Sequence, residues 1–66
     1  MSVAKNIEVI ASSSASIEDA VKSGIAKVGE TVKNIQGVWV KDVKAVVSNN
    51  AVTEWRATLA ITFLVD

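Results

Sequence analysis

Sixty-six residues allow one domain, and a domain this small usually needs disulfides, a metal or partner subunits to hold its fold. Neither cysteine nor histidine is present, so disulfides are excluded and only carboxylates are left to bind a structural metal. Seven basic residues cancel seven acidic ones and lie scattered, which argues against the basic patch of a nucleic-acid binder. Half of the residues are apolar, a high share for a chain with so much relative surface, and self-association is the staple that remains. No stretch approaches the ~20 apolar residues of a membrane span. Lys5, Asn6 and Glu8 interrupt any leader-like apolar run near the start. The lack of cysteine fits a cytoplasmic protein.

In chain order, residues 3–11, "VAKNIEVIA", read as a first strand with Val3, Ile7 and Val9 on one side. The small polar run "SSSAS" at 12–16 reads as a loop ending in a helix cap. It lacks the glycines and lysine of a phosphate-binding loop. "SIED" fits a capping box in which Ser16 accepts from the amide of Asp19, with the Asp19 carboxylate at the positive end of the helix. From Ile17 to about Lys33 apolar residues recur every three or four positions: Ile17, Ala20, Val21, Gly24, Ile25, Val28, Val32 and then Ile35. This is a helix with one apolar stripe. Gly24 and Gly29 cost about 1 kcal/mol each relative to alanine, and a close approach to a sheet accounts for Gly24. Lys33 and Asn34 are expected to close the helix.

A second strand is expected over 37–48, "GVWVKDVKAVVS". Val38 and Val40 oppose Trp39 in parity, whereas Val43, Ala45 and Val47 share it, so a bulge is expected between them. "SNNA" at 48–51 reads as a turn, since asparagine tolerates positive φ. From Glu54 onward Trp55, Ala57, Leu59, Ile61, Phe63 and Val65 alternate with a more polar set, the clearest strand in the chain. Strand, helix, strand, strand implies an α+β fold. The hairpin and the right-handed crossover rule give a three-stranded antiparallel sheet of order 1-3-2 packed on one helix.

The lengths decide what the apolar strand face needs. Thirteen residues from Glu54 span roughly 43 Å at about 3.3 Å each. The expected helix of about seventeen residues covers only about 26 Å. Trp39, Trp55 or Phe63 would then lie open near one end, and an open apolar patch marks an interface. Other copies of the chain are the expected cover, and a terminus at Asp66 with no tail fits an end held in an assembly.

The inventory for chemistry is thin. Proton transfer and nucleophilic attack at neutral pH lean on histidine and cysteine, both absent, as is tyrosine. No carboxylate pair stands at a recognisable spacing, so an enzyme is not expected. Trp55 reads as an apolar anchor at subunit contacts. Trp39, just past Gly37, reads either the same way or as a stacking surface for a flat ligand, with Gly37 leaving room.

The whole chain resembles the dodecins, through "MSVAKNIEVIASSSASIEDAV" at the start, "ETVKNIQGVWVKD" in the middle and "TEWRATLAITFLVD" at the end. Dodecins are small strand-helix-strand-strand proteins that assemble as hollow spherical homododecamers. Many of them bind flavins (riboflavin, its monophosphate FMN or related rings) as pairs stacked between tryptophans near subunit junctions, for storage or quenching without turnover. The resemblance therefore implies a cytoplasmic, non-catalytic flavin-storing homododecamer with no nucleic-acid or membrane partner and no metal at the site. The stacking tryptophan of flavin-binding members falls at Gly37, with Trp39 two positions on and on the same strand face. A glutamine that hydrogen-bonds the ring falls at Arg56, and Asp42 matches an acidic position near the ribityl chain. The expected cofactor-binding set is Trp39, Arg56, Gly37 and Asp42. Arg56 donates but cannot accept, unlike glutamine. The alternative is a ligand-free assembly of the same fold in which Trp39 and Arg56 serve subunit contacts.

Overall fold

A computed structural model describes residues 2–65. Its elements are β1 (Val3–Ser13), α1 (Ile17–Val28), β2 (Ile35–Ser48) and β3 (Ala51–Val65). The sheet order is β1-β3-β2, and β3 runs antiparallel to both neighbours. This is the α+β arrangement and strand order that the sequence implies. Each strand runs longer than its apolar alternation alone suggests. Ser12 and Ser13 still pair, with Arg56 and Trp55, so the loop before the helix shrinks to three residues, 14–16.

The helix starts where the capping signal puts it. The Asp19 amide donates to Ser16 Oγ at 3.0 Å, which satisfies one of the open amides of the first turn. The reciprocal half of the capping box is not made. Asp19 is one methylene shorter than glutamate, and its Oδ2 accepts instead from the Ser13 hydroxyl at 2.6 Å. Ser13 Oγ in turn accepts from the amides of Ala15 and Ser16 at 2.9 and 3.4 Å. Ser13 thus stands between the Asp19 carboxylate and the Ser16 amide that a longer side chain would have reached.

The helix ends at Val28 with Gly29 as its cap, not at Lys33 and Asn34. Glu30 and Thr31 donate to carbonyls three residues back, at 3.2 Å each, which tightens the chain out of the helix. Asn34 then takes a left-handed φ of 62° and turns the chain into β2. The apolar stripe misleads beyond Val28, because Ile35 reaches the same core from the first residue of β2, and Val32, half-buried, lies in the irregular stretch between helix and strand. Asn49 and Asn50, at φ 52° and 63°, make the tight hairpin turn with the positive backbone angles that such turns require.

Residues opposite each other in a ladder share a face, so the register sorts the side chains. Toward the helix point Ile7, Val9 and Ala11 of β1, opposite Ile61, Leu59 and Ala57 of β3. Ala57, Leu59 and Ile61 are fully buried, as is Ala20 of the helix. Burying Leu59 and Ile61 contributes about 2–3 kcal/mol each. Gly24 is where helix and sheet meet. A Cβ built there would lie 2.9 Å from Ala11 Cβ and 3.0 Å from Leu59 Cδ1.

The helix packs on β1 and β3, and its reach is short. Twelve residues span about 18 Å, whereas the fifteen of β3 span about 50 Å. The molecule is accordingly drawn out to 52 × 20 × 13 Å. Its radius of gyration is 13.5 Å, against about 11 Å for a compact chain of this length. Its accessible surface is 4708 Å², against about 4,000 Å² for a monomer of this mass. Val43, Val47 and Val52, toward the hairpin end, stay 48, 61 and 48% exposed.

Replacing Gly24 by alanine adds about 1 kcal/mol of helix propensity but overpacks the contact with Ala11 and Leu59 by about 1–3 kcal/mol. Gly24→Ala is expected to lower unfolding stability in urea by about 1 kcal/mol, and Gly24→Val by more. Gly37→Ala, built into open space, serves as the control. A Gly24→Ala chain as stable as wild type would contradict the close approach.

Candidate functional site on the open face of the sheet

The face away from the helix has no element over it. By register it presents Asn6, Glu8, Ile10 and Ser12 from β1. From β3 come Glu54, Arg56, Thr58, Ala60 and Thr62, and from β2 come Gly37, Trp39, Asp42 and Lys44. All four residues expected at a binding site, Gly37, Trp39, Asp42 and Arg56, fall on this one face. The bulge brings them there. β2 carries an extra residue at Lys41, between the pairs Val40↔Leu59 and Asp42↔Thr58, which moves Asp42 onto the side of Trp39. Further irregularities lie at Gln36 and near Thr53.

Trp39 stands opposite Ala60, a side chain too small to cover an indole, and is 65% exposed. Two residues back on the same side, Gly37 leaves nothing within 4 Å of a Cβ position. Asp42, opposite Thr58, lies 3.7 Å from the Lys44 ammonium. Arg56, opposite Lys44, is four β3 residues from Ala60, or roughly 13 Å along the strand. Within one chain, then, Trp39 and Arg56 do not stack on each other.

Arg56 is engaged elsewhere. Its Nε donates to Glu54 Oε1 at 3.3 Å. This hydrogen bond, helped by another from Ser12, holds the Glu54 carboxyl below its ordinary pKa of 4.5 against a smaller desolvation effect. That bond uses Nε alone of the five guanidinium N–H donors.

Two further residues join the site that composition and alternation do not single out. Lys41 Nζ lies 5.4 Å from the centre of the Trp39 ring and donates to Glu8 Oε2 at 2.9 Å, crossing β3 above Ala60. The contact is a cation–π interaction backed by an ion pair. Both charged groups are partly exposed, so the pair contributes about 0–1 kcal/mol and yields readily. The only sequence signal for Lys41 is its place at the parity switch; nothing in the sequence marks Glu8. Thr62 also donates to Asn6 across this face. Among the described residues no three acidic side chains converge as metal ligands, and no helix is long and apolar enough to cross a membrane.

Because the folded-state pKa of Glu54 lies below 4.5, its pairing stabilises the fold above that pH and is lost as pH falls through the depressed value. Carboxyl-resolved NMR titration should place Glu54 below the ordinary glutamate range, and Arg56→Met should move it upward. A Glu54 midpoint unmoved by that substitution would contradict the assigned cause.

Comparisons with known proteins agree on the fold. A dodecin from Thermus thermophilus, an arginine-to-alanine variant, superposes with a TM-score of 0.95 at 21% identity, over 100% of this chain and 98% of the other. The dodecin from Streptomyces davaonensis gives 0.94 at 18% identity, over 98 and 96% of the two chains. A calcium dodecin from Mycobacterium tuberculosis, a calcium-chelating immunodominant antigen, gives 0.82 at 24% identity, over 92 and 87%. A comparison with curated protein sequences finds no significant match. The sequence profile of the dodecin family matches residues 3–66, and the chain belongs to that family.

Proposed function

We propose that the chain assembles as a hollow homododecamer and holds a flavin-type ring against its open sheet face, storing or sequestering it in the cytoplasm without turnover. The observation that carries this reading is the placement of Trp39, Gly37, Asp42 and Arg56 on one uncovered face, with an exposed indole among them.

The residues fit such a ring in distinct ways. Trp39 offers a flat, electron-rich surface, and stacking of two aromatic systems contributes about 0.5–1.5 kcal/mol beyond the area it buries. Gly37 leaves the space beside it open. Asp42 accepts from a ribityl hydroxyl, and Arg56 donates to a ring carbonyl or a phosphate. Lys41 occupies one side of the indole, so a ring either takes the other side or displaces an ammonium that Glu8 is placed to receive. A flavin would supply a redox-active, light-sensitive ring. The chain has no histidine, cysteine or tyrosine to move protons for it, which supports a non-catalytic role. Calcium, the ligand of the mycobacterial relative, needs six or more oxygen donors, a requirement that the convergent side chains of this face support less well.

A second reading is the ligand-free assembly, in which Trp39 and Arg56 serve subunit contacts. It is favoured by the contacts both already make, Trp39 with Lys41 and Arg56 with Glu54.

Titration with riboflavin and FMN separates the two. Flavin storage predicts quenching of the dye's emission on binding. Trp39→Ala should weaken binding at least tenfold, which corresponds to about 1.4 kcal/mol, while the assembly stays whole. Unquenched dye, with a Trp39→Ala chain that dissociates, would support the ligand-free reading instead.

A further inference from the structure

Across the middle of the open face the register lines up Glu8, Ala60 and Trp39, one from each strand. The two outer positions stand two strand spacings apart, roughly 10 Å. Ala60 between them raises only a methyl above the sheet, so the row is a slot with an indole for one wall and a carboxylate for the other. Among the described residues Trp39 is the only aromatic side chain on this face, since Trp55 and Phe63 fall on the helix side by register.

The chain fills this slot itself. Lys41 Nζ lies 5.4 Å from the centre of the indole and 2.9 Å from Glu8 Oε2. An ammonium that close to both stands between them, against the indole face turned toward β3. The bulge explains why Lys41 takes this place. It sets Lys41 and Asp42 side by side, and Asp42 is matched with Lys44 at 3.7 Å, so Lys41 turns to the carboxylate across the sheet. Its side chain is 37% exposed, against 76, 82 and 74% for the paired lysines Lys22, Lys27 and Lys44. The Lys41 stem therefore lies down on the sheet and covers apolar surface instead of standing in water.

We infer that Lys41 sets the affinity of the Trp39 site as a tethered occupant that a flat ring must move out of the slot before it stacks, which rests on the ring-binding reading above. On the outer side of the indole β2 is the edge of the sheet, and a ring there has no floor from this chain. On the inner side it has Ala60 beneath and the indole beside it, with only the Lys41 arm in the way. Moving the arm gives up a cation–π contact and a partly exposed ion pair, so its presence weakens ring binding by about three- to tenfold. Salt screens the Lys41–Glu8 pair that holds the arm in place. An uncharged ring therefore binds more tightly as ionic strength rises, the reverse of a charge-driven contact.

Riboflavin, uncharged at neutral pH, is the probe. Its fluorescence is titrated with wild type, Lys41→Ala, Lys41→Arg and Glu8→Gln at low and at high sodium chloride. At low salt Lys41→Ala should bind about three- to tenfold more tightly than wild type. Lys41→Arg should bind no more tightly, since a guanidinium fills the slot and pairs with Glu8 as well. Glu8→Gln leaves the arm without its far anchor and should tighten binding by a smaller factor, which decides the outcome should Lys41→Ala fold poorly. Salt should tighten wild type and Lys41→Arg more than Lys41→Ala, which separates the arm from any general salting-out of the ring. A merely structural role for Lys41 would not produce that difference. Riboflavin bound no more tightly by Lys41→Ala and Glu8→Gln, or a salt response shared by all variants, would overturn this proposal and leave flavin binding standing. Emission quenched by none of the four proteins would overturn both readings.

Discussion

A short helix laid over much longer strands is the constraint on which the rest of this protein depends. At Gly24 the helix comes close enough to Ala11 and Leu59 to leave no room for a Cβ, and around that contact lie the only fully buried side chains among the described residues. Core packing is therefore strong at one place and fades in both directions along the strands. A domain with so few buried side chains gains little from the hydrophobic effect in isolation. No disulfide or described metal cluster adds to it. The proposed assembly would supply further burial from surfaces beyond the single chain.

The same geometry splits the sheet into two kinds of surface. Its helix side is apolar and finds partial cover. Its other side is polar, laced by Glu8–Lys41, Asp42–Lys44 and Glu54–Arg56, with one exposed tryptophan. The bulge at Lys41 links the two, because one inserted residue returns Val43 to the helix side while placing Asp42 beside Trp39. A regular strand would have put Asp42 on the apolar side and pulled the candidate site apart. Packing and the make-up of the candidate site are thus set by one backbone irregularity.

Much of this was legible in the residues. The alternation from Trp55 to Val65, the Ser16 cap, the paired asparagines and the parity switch in β2 each rest on a local rule that tertiary structure did not override. The helix end was not legible, since Val32 and Ile35 keep the helical period although both lie past the helix, Ile35 serving the core from β2. At the site, the four candidate residues followed from resemblance, and parity placed only Gly37 and Trp39 together; the face that Asp42 and Arg56 share with them rests on the bulge and the register. The contact of Lys41 with Trp39 and Glu8 followed from neither. Glu8 lies 33 residues from Lys41 in sequence, and only the strand order carries it to the far side of β3.

Sedimentation velocity of the full chain at micromolar concentration tests the central claim most directly. If the helix cannot shelter the sheet, the folded protein sediments as a closed assembly many times its 7.0 kDa subunit mass. A well-folded species sedimenting at the mass of one chain would contradict the account.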